Sequence, residues 1–287
     1  MSASAEPGVR TGIGTTFEGH DARGLARVLP LVDYVEVTPD AIARRDTGRA
    51  RIDRRKLALL HAVASETTVV VHGVGLSIGS HDGWSDEYLG LLDEIVGAVE
   101  VAWHSEHLAY TRVDGRFLGT MLALPPTEEA LDLVAERVTA IRERYPLPFL
   151  LENIVQLVPE APGAYSDAGF LNALCGRTGC GVLLDVYNLE CDAHNRGFDI
   201  PAFLDELDLS HVGELHVACG VEERGLMLDV HSRVPRASTL DLAAEVVARA
   251  PNVRGVTYEL LPEAVPTLGD DVVAGELVRL RERLAAA

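Results

Sequence analysis

The sequence has few cysteines and no long apolar run. Only four of its 287 residues are cysteine, and no two of them form a CxxC pair, which excludes a small disulfide-linked scaffold. No stretch reaches the roughly 18 apolar residues of a membrane span, and the N-terminal segment lacks the apolar core of a signal peptide. We therefore expect a soluble, cytoplasmic protein without a membrane partner, with buried thiols and a disordered tail at residues 1–10.

Basic residues are also scarce. The chain has 25 Lys and Arg residues against 44 Asp and Glu residues, which gives a formal net charge of −19. Binding to a nucleic-acid backbone requires clustered Lys and Arg side chains, because these replace the counterions of the phosphates. The charge balance therefore argues against nucleic acid as the main partner.

No linker rich in proline or glycine divides the chain, and 47% hydrophobic residues suffice for one core. Short apolar runs alternate with amphipathic segments from end to end. The predicted strands are 11–17, 34–39, 68–75, 101–107, 149–153, 181–188, 212–218 and 255–260. The predicted helices are approximately 53–65, 85–99, 126–145, 167–177, 199–207, 238–249 and 270–285. This alternation predicts a single α/β domain over residues 1–287, a (β/α)8 TIM barrel in preference to a doubly wound open sheet.

Residues of the types that bind metals end most of these strands. They are His72, His107, Glu152, Asp185, His216 and Glu259, and the loops add Asn188, Asp229 and His231. A carboxylate after a buried apolar run is costly unless it is paired or bound to a metal. Mixed imidazole and carboxylate groups suit zinc, iron or manganese, and their number predicts two or three ions. The alternative is a series of separate buried polar groups, each satisfied by hydrogen bonds.

The alternation of side chains along the predicted strand 101–107 separates two kinds of residue. Trp103 and Ser105 share the parity of His107 and should face the barrel interior. His104 and Glu106 have the opposite parity, so we expect them to pack or to support the site from outside it.

Two connections are unusually long. The segment 108–126 contains Asp114-Gly115, a pair typical of a hairpin turn, and the segment 219–237 is of similar length. Loops of this size on the catalytic face of a barrel usually act as lids or as substrate platforms.

The ordered motifs at these positions resemble those of one enzyme family. They are HGVGLSIGS at 72–80, SEHLAY at 105–110, LLEN at 150–153, GCGVLLDVYN at 179–188, ELHVA at 214–218, LDVHS at 228–232 and the glutamate of TYEL at 257–260. The set resembles the multinuclear non-heme iron-dependent oxidase family, which includes the methanobactin-biosynthesis oxidase. The resemblance extends from about residue 11 to residue 260 and implies a TIM barrel of the xylose-isomerase-like kind.

The resemblance also implies an activity and a set of ligands. The activity would be the O2-dependent oxidation of cysteine residues in a ribosomally synthesised precursor peptide, during natural-product maturation. The ions would be two or three irons in a mixed Fe(II)/Fe(III) state, and a separate protein would present the peptide in some members. The implied ligands are His72, His107 and Glu152 for one ion; Glu152, Asp185, His216 and Glu259 for a second; and Asp229 and His231, helped by Asn188 or His194, for a third. Glu152, Asp185 and His216 would be the catalytic residues.

The chain departs from the family pattern after the seventh predicted strand. Many members read HLAGH there, whereas this chain reads HVACG, with Cys219 and Gly220 at the last two positions. The change removes a histidine, so the occupancy of one metal position is in question. Cys219 is either a substitute ligand, a redox-sensitive thiol or a small packing residue. Glu36, near the end of the second predicted strand, either orients a ligand or gates water, or it packs the barrel.

Three other functions are compatible with such a barrel. The first is metal-dependent cleavage of phosphodiesters, as in AP endonucleases, with zinc as a Lewis acid. The second is sugar isomerisation, which normally uses a lysine near the metals, whereas Lys56 is the only lysine in the chain and falls on a predicted helix. The third is a non-catalytic metal-binding partner in a peptide-maturation complex.

Overall fold

The computed structural model describes residues 11–45, 47–158 and 163–286, so the predicted tail at 1–10 lies outside the described residues. The strands are β1 (Gly12–Thr16), β2 (Tyr34–Val37), β3 (Ala43–Arg44), β4 (Arg51–Ile52), β5 (Thr68–Gly73), β6 (Val101–His107), β7 (Ala109–Val113), β8 (Arg116–Ala123), β9 (Phe149–Glu152), β10 (Gly181–Asp185), β11 (Val212–Val217), β12 (Val221–Glu223), β13 (Leu226–Leu228) and β14 (Gly255–Tyr258). The α-helices are α1 (Ala22–Val28), α2 (Pro39–Ile42), α3 (Arg54–Ala64), α4 (Asp86–Val96), α5 (Glu128–Arg144), α6 (Asp167–Thr178), α7 (Val186–Arg196), α8 (Ile200–Glu206), α9 (Ala237–Arg249), α10 (Ala264–Leu268) and α11 (Asp270–Ala285). Short 3-10 helices occupy Leu29–Leu31 and Leu209–His211.

Eight of the strands form a closed parallel barrel. Their order is β1, β2, β5, β6, β9, β10, β11 and β14, and β14 pairs with β1 to close the ring. Helices follow the strands in sequence and cover the outside of the ring. This confirms the predicted (β/α)8 TIM barrel, and closure rules out the open sheet. Because all eight strands run in the same direction, the residues at their C-terminal ends share one mouth.

The helices form where amphipathic patterns and capping residues coincide. In α5, the Thr127 side chain accepts a hydrogen bond from the Ala130 backbone at 3.3 Å, and the first turn carries two glutamates. Acidic side chains there complement the partial positive charge of the helix N-terminus. Leu131, Val134 and Val138 are buried against the barrel. These residues form the inward face of the predicted helix 126–145.

A hydrogen-bonded polar group fills part of the barrel interior. The buried carboxylate of Glu214 accepts hydrogen bonds from Tyr34 Oη at 3.0 Å, from Trp103 Nε1 at 2.5 Å and from Thr257 Oγ1 at 2.8 Å. Burial and then the nearby charge of Glu36 raise the pKa of Glu214 to about 7. Three donors satisfy this buried carboxyl group, which would otherwise be costly, and they hold the interior side chains in fixed positions.

Gly14→Ala should lower the stability of the barrel. A Cβ atom at position 14 would overlap the ring of Tyr34, which Glu214 and Thr257 hold in place. Overpacking of this kind costs about 1–3 kcal/mol, measurable as a shift of the urea midpoint. The control is Gly176→Ala on the exposed side of α6, where an added Cβ meets no atom within 4 Å. That change should stabilise the protein by about 0.5–1 kcal/mol; equal effects at both sites would contradict the packing argument.

One predicted boundary is wrong. The predicted strand 181–188 ends at Asp185, and α7 begins at Val186 without an intervening loop. The Asp185 side chain accepts a hydrogen bond from the Asn188 backbone at 2.8 Å and so caps the new helix. Val186 and Tyr187 are typical of strands, which explains the overlong prediction. Asn188 therefore lies in the first turn of a helix and not at the start of a loop.

The two long connections contain hairpins. The first is the predicted one, β7–β8, with Asp114 and Gly115 at its turn, where φ is 50° and 70°. The second, β12–β13, lies within 219–237 and was not predicted from the sequence; Arg224 and Gly225 form its turn. Within the described residues, no helix combines the length and the apolar character needed to cross a bilayer.

Candidate metal centre

Six polar residues at the barrel mouth come from six different strands or strand ends. His72 lies in β5, His216 lies in β11, and Glu259 directly follows β14; the last residues of β6, β9 and β10 are His107, Glu152 and Asp185. All except His107 and Glu259 are almost completely inaccessible to solvent. Asp229 and His231 join them from the segment that follows β13. The structure therefore brings together eight of the residues that the sequence predicted as ligands.

Glu152 lies at the centre of this group. Its Oε2 atom is 3.2 Å from His72 Nε2 and 3.1 Å from His107 Nε2. Its Oε1 atom is 3.3 Å from His216 Nδ1. One oxygen thus faces a pair of imidazoles while the other faces a third imidazole, which is the geometry expected of a carboxylate that bridges two cations.

A second set of contacts extends from His216. Its Nδ1 atom is 2.8 Å from Glu259 Oε2, and the same oxygen is 3.1 Å from His231 Nδ1. His231 Nε2 contacts Asp229 and lies 3.8 Å from Asp185 Oδ2. The imidazoles and carboxylates therefore alternate across the mouth from His107 to Asp229.

The hydrogen-bonding atoms of these residues test whether metal ions fit. Among the described residues, fourteen buried side-chain nitrogen and oxygen atoms make no well-aligned hydrogen bond, and ten of them belong to this region, where several lie at ion-pair distance from one another. The ten are Glu36 Oε1, His72 Nε2, both Glu152 oxygens, Asp185 Oδ2, Asn188 Oδ1, His216 Nδ1, Asp229 Oδ1, His231 Nε2 and Glu259 Oε2. Buried polar atoms are normally paired. Potential ligand residues form four groups, and within each group one nitrogen or oxygen atom per residue lies within 4.8 Å of the others. This set of ligand atoms therefore fits a cluster of cations.

The imidazoles are already oriented for this purpose. His107 Nδ1 donates to the Gly73 carbonyl at 2.9 Å, His72 Nδ1 pairs with Ser105 Oγ at 2.9 Å, and His216 Nε2 pairs with Glu36 Oε2 at 3.1 Å. In each ring one nitrogen is thereby engaged and the other points at the carboxylates. Such contacts fix the tautomer and raise the basicity of a metal-binding histidine.

The pKa values show how the group balances its charges without a cation. Burial lowers the pKa of His72, but the adjacent Glu152 carboxylate outweighs burial and raises it to about 9. Burial raises the pKa of Glu152, but His107 and His72 together hold it well below the ordinary value. Burial and then the charge of Asp229 raise the pKa of Asp185 well above the ordinary value. Burial also lowers the pKa values of His216 and His231, but neighbouring carboxylates raise both well above the ordinary value. Protons on these three imidazoles thus take the place that cations would occupy, and Asp185 is the carboxylate that lacks compensation.

Asparagines hold the neighbouring backbone. Asn153 Oδ1 accepts from the Asp185 backbone at 2.9 Å, and its Nδ2 donates to the Asp185 carbonyl at 3.0 Å. Asn188 Nδ2 donates to the Asn153 carbonyl at 3.0 Å, and Asn188 Oδ1 is buried without a hydrogen bond among the described residues. Sequence reasoning missed Asn153, although it is the last letter of the LLEN motif.

Several predicted positions can now be placed. Trp103 and Ser105 face the interior as expected, through their contacts with Glu214 and His72. His104 lies outside the barrel wall between Tyr145 and Phe149, which confirms its packing role. His194 is exposed in the last turn of α7, and it belongs to none of the groups of potential ligands found in the described residues.

The departure HVACG has a structural explanation. A Cβ atom at Gly220 would overlap the carbonyl of Leu228, so the β12–β13 hairpin leaves no room there for the histidine of the family pattern. Cys219 is buried in a small apolar cluster with Val155, Tyr187 and Met227. Of the three alternatives for Cys219, this environment fits the small packing residue.

Cys219→Ala should leave the amount of bound metal unchanged. The Sγ atom contacts apolar neighbours and the Gly220 carbonyl at 3.8 Å, and it belongs to no group of potential ligands in the part of the chain that the structure describes. Elemental analysis of the purified variant checks this expectation. The loss of one ion per chain would make the thiol a substitute ligand after all.

Comparisons with known proteins place the chain in a family. The sequence profile described as "RiPP precursor modification enzyme MbnB/TglH/ChrH" matches residues 11–269, where RiPP denotes a ribosomally synthesised and post-translationally modified peptide. A UPF0276 protein of Anaeromyxobacter sp. (strain Fw109-5) is 38% identical over 230 residues, covering 80% of this chain and 78% of that protein. A UPF0276 protein of Caulobacter vibrioides (strain NA1000 / CB15N) is 34% identical over 257 residues, covering 90% and 88%.

Solved structures share the barrel. D-psicose 3-epimerase from Clostridium cellulolyticum H10 superposes with a TM-score of 0.61 at 13% identity, covering 96% of this chain and 99% of that chain. The IOLI protein with a binding zinc atom gives a TM-score of 0.63 at 15% identity, with the same coverage. At such low identity the likeness shows the fold alone, while the profile match over most of the length confirms the family expected from the motifs. The chain belongs to the RiPP precursor modification enzyme family MbnB/TglH/ChrH.

Proposed function

We propose that this enzyme is an iron-dependent oxidase that uses O2 to modify cysteine residues of a ribosomally made precursor peptide. The observation that carries the proposal is the convergence of ten unpartnered buried polar atoms at the barrel mouth. Imidazole nitrogen and carboxylate oxygen atoms dominate the set. Such ligands suit non-heme iron, whereas a thiolate-rich set would favour other metals or iron–sulfur clusters. The cytoplasmic location expected from the sequence stays a prediction.

The proposed ligand sets follow the observed groups. His72, His107 and Glu152 would hold one ion, and Glu152, Asp185, His216 and Glu259 a second. Asp185, Asp229 and His231 form a third group, which the Asn188 oxygen would complete. Iron bound there would supply redox chemistry and a positive charge that keeps a substrate thiol deprotonated.

The residues of the chain have distinct tasks in this proposal. Glu152 would bridge, because its two oxygens face different imidazoles. Glu36 would hold His216 in the tautomer whose Nδ1 is free to bind metal. The Ser105 contact would do the same for His72. The Asp229 side chain is 19% exposed, so the group would be open to substrate from solvent at this edge.

A cleft beside the cluster could receive the peptide. Its volume is about 70 Å³, and its lining includes Leu108 and Asn153, which directly follow His107 and Glu152 in sequence. Phe170, Phe198 and Phe203 also line it. Apolar walls with few polar groups are typical of sites that enclose part of a ligand, so this small cleft would hold one small side chain next to the reacting cysteine.

The competing functions find less support. Lys56 lies on α3 with its Nζ atom 5.9 Å from the centre of the Phe17 ring, and it belongs to none of the potential ligand groups of the described residues. The chain therefore offers no lysine for isomerisation at this site. Cleavage of phosphodiesters would keep the ligands but would require zinc as a Lewis acid.

Iron analysis and O2 uptake test the proposal together. Protein purified without oxygen should contain two or three irons per chain, and it should consume O2 when a Cys-containing precursor peptide is added. The same peptide with serine in place of cysteine is the control. Protein that binds only zinc and nicks abasic DNA would replace the proposal with the hydrolase, and iron without peptide-dependent O2 uptake would favour a non-catalytic partner.

A further inference from the structure

A short segment of this acidic chain is strongly basic. Residues 44–56 contain Arg44, Arg45, Arg49, Arg51, Arg54, Arg55 and Lys56. Only two acidic residues fall within the same thirteen positions, so the segment carries a formal charge of +5 in a chain of −19. More than a quarter of the 25 basic residues are therefore concentrated in one place, which the overall charge balance conceals.

The fold places the described residues of this segment, 44–45 and 47–56, at the rim of the barrel mouth. It follows β2, whose Glu36 contacts His216 in the metal centre at 3.1 Å. The Asp40 carboxylate then accepts from the Gly75 backbone at 2.9 Å, which ties α2 to the loop that follows His72. From Glu36 to Arg44 the chain can span at most about 28 Å. The Asp53 backbone donates to the Ile42 carbonyl at 2.9 Å, so Arg54 and Arg55 lie next to the same stretch of chain. The arginines therefore lie within reach of a peptide of about ten extended residues that also enters the centre.

Acidic residues of α4 hold some of the arginines in position. Arg45 pairs with Glu87, and Arg51 pairs with Glu94 at 2.9 Å. Arg54 and Arg55 differ, because they are exposed in the first turn of α3 and make no ion pair within the described residues. Cations are unfavourable at a helix N-terminus, and Asp53 already caps this one through contacts of 2.8 and 3.1 Å. The fold itself therefore gives no reason for these two charges.

A groove of about 760 Å³ runs between these side chains, lined by Arg44, Arg49, Arg51, Arg54 and Arg55. We propose that this groove binds an acidic segment of the peptide substrate and so holds the peptide while its cysteine reaches the metal centre. The proposal rests on the proposed function, because it takes the substrate to be a peptide. Guanidinium groups suit this role, since they bind carboxylates through paired hydrogen bonds.

An acidic peptide fits better than a nucleic acid. None of the described residues that line the groove is aromatic, whereas proteins that bind single strands stack bases on aromatic rings. The β12–β13 hairpin exposes Glu222 and Glu223, and these charges would repel a phosphate backbone that extended across the mouth. A peptide needs only one acidic stretch, placed at the basic part of the rim.

Fluorescence anisotropy with a labelled ten-residue peptide of alternating Glu and Gly tests the docking site. The double variant Arg54→Gln, Arg55→Gln should weaken binding about tenfold, and higher salt should weaken the wild-type interaction. The control is Arg249→Gln, Arg283→Gln, which removes two exposed charges from the C-terminal turns of α9 and α11. Its affinity should stay within about twofold of wild type.

The outcomes separate docking from catalysis. Unchanged binding in the Arg54 and Arg55 variant, or no binding of the acidic peptide by the wild type, would overturn the docking site. Preferential binding of a 20-base-pair DNA duplex through the same two arginines would assign the groove to nucleic acid instead. Iron content is measured in parallel and should be equal in both variants. Wild-type protein that binds the acidic peptide but takes up no iron would leave the docking site in place and remove the proposed function.

Discussion

Glu152→Gln is expected to lower bound iron by at least one ion per chain and to reduce turnover by more than about 100-fold. Residues that merely orient metal ligands typically account for 10–100-fold in affinity or activity, and Glu152 contacts three imidazoles directly. The amide keeps the shape of the side chain but loses its charge, so it cannot bridge two cations. Elemental analysis and O2 uptake measure the two effects.

The same substitution should destabilise the metal-free protein. Without Glu152 the imidazole of His72, whose pKa is raised to about 9, loses its buried counter-charge, and breaking a buried ion pair of this kind costs about 3–5 kcal/mol. The pKa of Glu152 lies below its ordinary value in the folded protein. Its contribution is therefore present above the pKa of the unfolded chain and is lost as the pH falls. The difference in unfolding free energy between wild type and variant should shrink in acid.

Two controls separate the metal effect from general damage. Glu214→Gln alters another fully buried carboxyl group of the barrel interior, one that is satisfied by Tyr34, Trp103 and Thr257, so stability should fall while iron is retained. His61→Gln, on exposed helix surface, and His211→Gln, at the end of the 3-10 helix that precedes β11, should change neither quantity. Full iron in the Glu152 variant would contradict the bridging role.

The barrel and most of the site could be predicted because they depend on repeated local patterns. Each strand is a buried apolar run, and parallel strands bring their C-terminal residues to one mouth whatever the loops do. For that reason His72, Glu152 and Glu259 could be expected together although 187 positions separate the first from the last. The alternation rule likewise separated Ser105, which supports His72, from His104, which packs outside.

The features that escaped prediction depend on contacts between distant segments. The start of α7 directly after Asp185 follows from a cap, and its first residues, Val186 and Tyr187, favour strands locally. The tight fit at Gly220 arises from the carbonyl of Leu228 on the opposing hairpin strand. The basic composition of residues 44–56 can be read from the sequence. Its position at the rim of the barrel mouth, however, follows only from the path of the chain after β2.

Asp185→Asn should have the opposite effect on the stability of the metal-free protein from Glu152→Gln. The Asp185 carboxylate is buried near Asp229, Glu152 and Glu259, and its pKa is raised well above the ordinary value. A raised pKa means that stability is greatest below the pKa of the unfolded chain and declines as the pH rises. An amide carries no charge, so the metal-free variant should be at least as stable as wild type at pH 7 and should lose the decline above about pH 4.

The effects of Asp185→Asn on iron content and stability distinguish a metal ligand from a structural carboxylate. If Asp185 served only to cap α7, asparagine would preserve the cap, because both residues are favoured at that position, and iron would be unaffected. If it binds metal, the variant should lose iron and the rise in melting temperature that iron gives to wild type. Asp199→Asn is the matched control, since Asp199 caps α8 through the Ala202 backbone at 3.0 Å and lies outside the ligand groups of the described chain. A metal-free Asp185→Asn variant that is markedly less stable than wild type would contradict this argument. It would show that other groups of the protein already neutralise the Asp185 carboxylate, so that no cation is needed there.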